Sequence, residues 1–224
     1  MDFTEVHTNL RNKAVTTANP TINAGGNTST PVYQRGHYFN GSDMYWTLDT
    51  STPASVFYLH HTVTIEGWIR AMDFSKEQIV FSKNVSGTSS ASEENLFLFG
   101  IRTSSKLMIT IAEGSSLKAT AESTYTLSSD WVFVAVRVTY INPSTTQRSL
   151  ITFWVNDNVT AETETASPVW ITDFVNSLTT IGAELNWSSS LAYNYFFNGY
   201  MYDLKVYNMA RTNSNIDAEI HAGA

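Results

Sequence analysis

A two-residue alternation of apolar and polar side chains recurs along most of this chain, and it limits the fold more than any other feature. The segment 62–70 places Val63, Ile65 and Ile69 on one side of an extended chain, and "WVFVAVRV" at 131–138 places four valines on one side. Similar alternation occurs at 77–83, 95–103, 105–113 and 150–156. Turn-forming clusters separate these segments. Short strands that each bury one face predict two packed antiparallel sheets.

The predicted organisation is a single β-rich domain. With 224 residues, of which 42% are hydrophobic, the chain is long enough to bury a large core. The one segment with a helical pattern is "RTNSNIDAEI" at 211–220, which predicts a short C-terminal helix. Residues 1–32 are less regular, and we interpret them as an N-terminal strand followed by a loop or arm. Residues 33–224 are then the domain itself.

Charge and composition exclude several classes of function. The net charge of −7 gives no positive field that would attract a nucleic acid or an anionic membrane. No apolar run approaches the roughly 20 residues needed to cross a bilayer, so membrane insertion is not expected. The absence of cysteine excludes disulfides, thiolate zinc sites and cysteine nucleophiles.

Six sequence segments occur in an order that is characteristic of one class of β-rich domain. They are "GHYFNGSDMYWTL" (36–48), "HTVTIEGWIR" (61–70), "SSDWVFVAVRVTY" (128–140), "RSLITFWVNDNV" (148–159), "LTTIGAEL" (178–185) and "FFNGYMYDLKVYNMAR" (196–211). In this order they resemble the laminin-G-like, concanavalin A-like lectin/glucanase jelly-roll domains. The resemblance implies an all-β, two-sheet antiparallel sandwich in which the last strand lies in the middle of a sheet.

The last strand carries aromatic residues on both faces, as expected of a strand that lies in the middle of a sheet and is packed on both faces. Regular alternation places Tyr202, Leu204 and Val206 on one face, and Met201, Asp203, Lys205 and Tyr207 on the other. Asp203 is then expected to point away from the first group or to pair with a neighbouring side chain.

The resemblance extends to glycosidases of the laminarinase type, so the acids require examination. A retaining glycosidase needs two carboxylates about 5–5.5 Å apart in one cleft. The close pair Glu162 and Glu164 has no third acid in the same strand, and we interpret it as a solvated strand edge. The five histidines show no hydrolase or metalloprotease motif. We therefore predict that the protein is not an enzyme.

Domains of this family often hold a structural Ca²⁺, bound by carbonyls of an early turn and an acid of the last strand. By the resemblance, that acid should stand at position 202, which is tyrosine. Asp203, one residue on, points to the opposite face and is expected to be structural. A calcium site that uses Asn40, Gly41 and Asp43 of the "NGSD" turn remains open, since Ca²⁺ binds several oxygen ligands.

Sugar recognition is the commonest binding role of the family, and it requires exposed aromatic rings beside amides or carboxylates. The candidate ligand-binding residues are Trp170, Trp187, Tyr193, Asn194 and Tyr195. We predict a non-catalytic recognition or adhesion module that binds a glycan or a protein partner. The alternatives are a structural module without a sugar site and, third, a glycoside hydrolase.

The expected setting is a larger cell-surface or secreted protein. The N-terminal segment "MDFTEVHTNLRNKAV" lacks the apolar middle of a signal peptide. We interpret the chain as a domain cut from a longer protein, with an extracellular or cell-surface location.

Overall fold

A computed structural model describes residues 21–23, 36–48, 62–85, 96–113, 116–141, 147–166, 168–169, 177–187 and 191–223. The strands are β1 Thr21–Asn23, β2 His37–Asn40, β3 Tyr45–Leu48, β4 Val63–Ala71, β5 Gln78–Val85, β6 Leu96–Ile101, β7 Lys106–Glu113, β8 Ser116–Thr126, β9 Val132–Ile141, β10 Arg148–Val155, β11 Asn158–Glu164, β12 Ser177–Ile181, β13 Glu184–Trp187, β14 Leu191–Asn194 and β15 Asn198–Tyr207. The helix α1 is Asn213–Gly223.

The strands form two large antiparallel sheets. One has seven strands in the order β1-β3-β12-β5-β6-β7-β8, and the other has six in the order β11-β10-β9-β4-β15-β2. Strands β13 and β14 form a separate hairpin. The predicted two-sheet sandwich and the short C-terminal helix are confirmed. Strand β1 lies within the predicted arm 1–32 and pairs with β3, while the boundary at residue 33 stays a prediction.

The core lies between the two sheets and follows the alternation seen in the sequence. The six-stranded sheet contributes Ile65 and Ile69 together with the valines at 132, 134, 136 and 138. The seven-stranded sheet contributes Phe81, Phe97 and Phe99. Burial of each such side chain stabilises the fold by about 1.5–3 kcal/mol, which explains why short strands suffice without disulfides.

The last strand, β15, lies between β4 and β2, as the resemblance implied. A bulge separates Tyr202 from Lys205 in the pairing with β4, and Asp203 has a φ of 53°. The bulge inserts an extra residue, so the facing alternation changes there. As a result Met201 packs in the core with Leu204 and Val206. The predicted grouping of Met201 with Asp203 and Lys205 is therefore wrong.

Helix α1 covers part of the outer face of the six-stranded sheet, meaning the face turned away from the seven-stranded sheet. Ile216 and Ile220 pack there against Phe133 and Trp154, with Trp68 beside them. The helix begins after Thr212, whose hydroxyl accepts a hydrogen bond from the Asn215 N–H at 3.2 Å. Within the described part of the chain, no helix is long and apolar enough to cross a membrane.

A buried group of charged side chains lies beneath this helix. Glu66 on β4 is only 1% exposed and pairs with Arg211, whose guanidinium also lies 3.5 Å from Glu219 of the helix. Lys205 bonds to Glu219 and lies 3.3 Å from Asp203. Asp203 is thus engaged in an ion pair, in agreement with its predicted structural role. The helix is held to the sheet by these charges as well as by apolar packing.

The buried Glu66 carboxyl makes folding sensitive to pH. Burial raises its pKa from an ordinary 4.5 to about 7, although the positive charge of Arg211 acts in the opposite direction. A carboxyl whose pKa is higher in the folded state contributes most below pH 4.5, and this contribution is lost as pH rises through 7. The wild type should therefore lose about 3 kcal/mol of its free energy of unfolding between pH 4.5 and 8. We expect Glu66→Gln to abolish this part of the pH dependence.

The measurement is the free energy of unfolding in urea across this pH range. The matched control is Glu164→Gln, since the Glu164 side chain is 54% exposed on an edge strand. The control should keep the wild-type pH dependence. An identical pH dependence in Glu66→Gln and wild type would contradict the assignment to Glu66.

Candidate functional site

The segment that joins β14 to β15 contains the predicted residue Tyr195, and backbone hydrogen bonds hold it in place. The Tyr195 carbonyl accepts the N–H of Ile79 at 2.9 Å, and Phe197 donates its N–H to the Gly182 carbonyl at 2.9 Å. Tyr195 itself has a φ of 50°, which turns the chain sharply out of the hairpin. Tyr195 is 46% exposed. The chain thus presents a large aromatic side chain to solvent on a fixed backbone.

Tyr193 lies in a half-buried wall beside this residue. Its ring stacks on Tyr45 of β3, with centroids 3.9 Å apart and an angle of 25° between the planes, and Phe196 lies 6.1 Å from Tyr45. Burial raises the pKa of the Tyr193 hydroxyl, and so does its hydrogen bond with Tyr45. The Tyr193 hydroxyl therefore stays protonated at all ordinary pH values. One face of its ring is already used by Tyr45.

Three of the five predicted ligand-binding residues are consecutive in the chain, namely Tyr193, Asn194 and Tyr195, and Asn194 is half-buried. The backbone of Trp187 pairs with Leu191 in the β13–β14 hairpin, while its side chain lies outside the described part of the chain. Trp170 also lies outside the described residues. The exposure of the two tryptophans stays untested, and the site as a whole stays a prediction.

The "NGSD" turn, predicted as an open calcium candidate, is held together by its own hydrogen bonds. The Asn40 Oδ1 atom accepts the N–H groups of Ser42, Asp43 and Met44 at 3.0, 3.2 and 3.2 Å. Its Nδ2 donates to Asp43 Oδ1 at 2.6 Å. Atoms that would ligate a metal are therefore already engaged within the turn.

A cationic side chain contacts the same turn. The Lys76 ammonium donates to the Gly41 carbonyl at 2.8 Å, so a divalent cation at Asn40, Gly41 and Asp43 would have to displace a positive charge. Among the described residues, no group of three or more histidines and acids is arranged to hold a metal. Tyr202, at the position of the family's acid, supplies no carboxylate. The calcium site is less favourable than its sequence suggested, and it stays a prediction.

The close acid pair noted in the sequence lies at the edge of a sheet. Glu162 and Glu164 are exposed on β11, the outermost strand of the six-stranded sheet. Glu164 pairs with Arg148 on the neighbouring strand at 2.7 Å. The carboxylates of Glu66 and Asp203 are 1% and 5% exposed beneath α1, and no substrate reaches them there. These acids do not form an open catalytic pair.

A second aromatic group, which is partly exposed, was missed by the sequence reasoning. Tyr38, Tyr200, Arg70 and Trp131, which we call the aromatic row, lie side by side on the outer face of the six-stranded sheet. Tyr200 pairs with Tyr38 of β2 on one side and with Arg70 of β4 on the other. Trp131 precedes Val132, which pairs with Ile69, and so continues the row. The alternation places Tyr38 and Tyr200 outward, but only the strand order makes them neighbours.

Comparisons with known proteins agree with this fold. A family model described as "Concanavalin A-like lectin/glucanases superfamily" matches residues 40–217. A search of curated protein sequences gave no significant match. Three similar solved structures all have low sequence identity to this chain, and at this level the likeness shows the fold alone.

The first is the CBM40 domain of the Ruminococcus gnavus IT-sialidase bound to α2,3-sialyllactose, with a TM-score of 0.61, 14% identity, and coverage of 84% of this chain and 97% of that one. The second is domain 4 of AbnA, an extracellular arabinanase from Geobacillus stearothermophilus, in complex with arabinotriose, with a TM-score of 0.55, 15% identity, and coverage of 90% and 86%. The third is the receptor binding domain of botulinum neurotoxin D, with a TM-score of 0.61, 11% identity, and coverage of 92% of this chain and 48% of that one.

Proposed function

Since the chain belongs to the concanavalin A-like lectin/glucanases superfamily, we propose that it is a non-catalytic module that binds a glycan. The fold is shared by binding domains and enzymes, so the function must be argued from the surface. The observation that carries the proposal is the exposed side chain of Tyr195 beside Asn194, on backbone fixed by hydrogen bonds to Ile79 of β5 and to Gly182. An aromatic face packs against the C–H face of a sugar, and an amide bonds its hydroxyls.

Solved structures of the same fold support a sugar as the ligand. The titles of two of them name a bound oligosaccharide, sialyllactose in one and arabinotriose in the other. The third, from the neurotoxin, is named as a receptor binding domain, so a protein or receptor ligand is the related alternative. A location outside the cell, in a larger secreted or surface protein, fits such a module.

The acids support the non-catalytic part of the proposal. The buried carboxylates Glu66 and Asp203 are closed off by α1 and neutralised by Arg211 and Lys205. The pair Glu162 and Glu164 faces solvent on an edge strand. Incubation with laminarin and other β-glucans from pH 4 to 9 should release no reducing ends. Release of reducing ends would overturn this part and favour the hydrolase alternative.

We expect Tyr195→Ala to weaken binding of a glycan selected from an array by at least tenfold. Loss of one stacked ring accounts for this effect, which corresponds to about 1.4 kcal/mol. The measurement is titration calorimetry with the strongest array ligand. The matched control is Tyr125→Ala on the edge strand β8, because Tyr125 is 42% exposed, close to the 46% of Tyr195.

Three results would separate the alternatives. Equal affinity of Tyr195→Ala and wild type would place the sugar elsewhere on the protein. Equal loss in the Tyr125→Ala control would indicate a non-specific effect. A folded protein that binds no glycan on the array would overturn the proposal and favour a structural module with no sugar site.

A further inference from the structure

We infer that the aromatic row is a second glycan-binding surface and that it takes a sugar residue carrying a carboxylate. The inference rests on the proposed function for the class of ligand, but it concerns residues distinct from Tyr193, Asn194 and Tyr195. It assigns a binding role to Tyr38, Tyr200, Arg70 and Trp131.

The rings of the row form a continuous aromatic surface. The centroids of Tyr38 and Tyr200 are 5.1 Å apart, and those of Tyr200 and Trp131 are 6.2 Å apart. The planes are inclined by 46° and 47°, so the rings do not stack flat on one another and part of each face stays available. Tyr38 is 44% exposed, and Tyr200 and Trp131 are half-buried. A surface of this kind fits the flat C–H face of a pyranose.

The row lies on a part of the outer face that is outside the helix contact. The neighbouring aromatics Trp68, Phe133 and Trp154 belong to the cluster that Ile216 and Ile220 cover. Tyr38 and Trp131 are not members of that cluster. Among the described residues, the helix therefore covers one aromatic group on this face and not the row.

The protein holds the row in place from both sides. The Trp131 ring lies against Gly36, where a Cβ would be 2.9 Å from Cη2 of the indole. Gly36 has a φ of 111°, a backbone conformation that favours glycine. Arg70 donates from Nε to the Ser129 carbonyl at 3.0 Å, which ties the segment before Trp131 to β4. Preorganised side chains of this kind lose little freedom when a ligand binds.

Arg70 decides which sugar fits. Its Nε is used by Ser129, and among the described residues the guanidinium makes no ion pair. The terminal N–H groups are then available as a planar pair of donors, the geometry that matches a carboxylate. Asn198, two residues before Tyr200 on the same face of β15, adds an amide for hydroxyl groups.

The charge of the whole chain limits the ligand further. The net charge of −7 repels a polyanion at a distance. A single carboxylate pairs with Arg70 locally. Each further negative charge of a polymer would add to the repulsion from the negatively charged protein. The structure therefore favours a terminal or isolated acidic sugar over a highly sulfated or uniformly anionic chain.

The test uses two pairs of probes that differ only or mainly in the acid group. They are 3′-sialyllactose with its methyl ester, and galacturonic acid with its methyl ester. We expect calorimetry to show at least tenfold tighter binding of an acidic probe than of its neutral partner. Arg70→Met should reduce the affinity for the acid to that of the neutral partner, while Arg70→Lys should retain part of the preference. Tyr38→Ala should weaken binding of both members of the pair at least fivefold.

Tyr195→Ala and Tyr125→Ala serve as controls, and each variant is compared with wild type in thermal melting. Both controls should keep the preference for the acid. An acid preference that survives Arg70→Met, or binding that is unchanged in Tyr38→Ala, would overturn the inference. Equal binding of acidic and neutral probes, or binding of none of the four, would also overturn it, while the proposed function would stand if the array still gave a ligand. Failure of every glycan on the array would remove the proposed function itself.

Discussion

Replacement of Arg211 by methionine is expected to lower the free energy of unfolding by about 3–5 kcal/mol at pH 8, because it leaves Glu66 buried without its cation. The Arg211 guanidinium contacts Glu66 and Glu219 and lies 4.5 Å from the centroid of the Tyr207 ring. Methionine keeps much of the volume and the apolar contact, so the loss reports mainly on the charge. Urea denaturation at fixed pH measures it.

The loss should depend on pH in a defined direction. At pH 5 the Glu66 carboxyl, with a pKa of about 7, is mostly protonated, and removal of its partner costs less. The matched control is Arg148→Met, because Arg148 pairs with the exposed Glu164 and such surface pairs contribute about 0–1 kcal/mol. The double variant Arg211→Met with Glu66→Gln should recover part of the stability. A loss in Arg211→Met no larger than in Arg148→Met would contradict this account.

Replacement of Gly199 by alanine is expected to lower the free energy of unfolding by roughly 2–5 kcal/mol, through backbone strain and overpacking together. Gly199 has a φ of 145°, and a Cβ there would lie 2.0 Å from the Arg70 carbonyl oxygen. That oxygen belongs to the adjacent strand β4, so it cannot move away without opening the sheet. Gly199 is also paired with Phe39 of β2 on its other side.

The measurement is again urea denaturation, with thermal melting as a second readout. Thr120→Ala is a suitable control, because Thr120 is an exposed residue of β8 where an alanine meets no obstacle. A variant Gly199→Ala that is as stable as this control would show that β15 and β4 separate easily. Because Gly199 lies next to Tyr200 and opposite the Arg70–Ala71 segment, the same variant should also weaken binding at the aromatic row.

Local patterns predicted the strands and their buried faces well where the alternation was uninterrupted. The four valines of β9 enter the core as expected, because a regular strand turns each successive side chain to the opposite face. Regular alternation through Asp203 predicts Met201 on the same face as Asp203, whereas the structure places Met201 in the core. The bulge at Asp203 is produced by pairing with β4, and the one-dimensional pattern carries no sign of it.

Sequence reasoning could group candidate site residues only where they are adjacent in the chain. Tyr193, Asn194 and Tyr195 could be proposed together from local aromatic content. Tyr193 stacks on Tyr45, whereas Tyr195 is exposed. This difference depends on the position of β3, which carries Tyr45. The hydrogen bond from Lys76 to the "NGSD" turn could not be predicted from the local sequence either, because Lys76 belongs to a distant segment.

Periodicity and composition were enough to establish a two-sheet sandwich, since burial of alternate side chains is a property of each strand alone. The order of the strands was decided by packing between segments far apart in the chain. That order places Tyr38 beside Tyr200 and Arg70, closes Glu66 under the C-terminal helix, and leaves one aromatic surface open. Neighbours across a sheet are set by hydrogen-bond register between strands, and the residues of a single strand do not encode it.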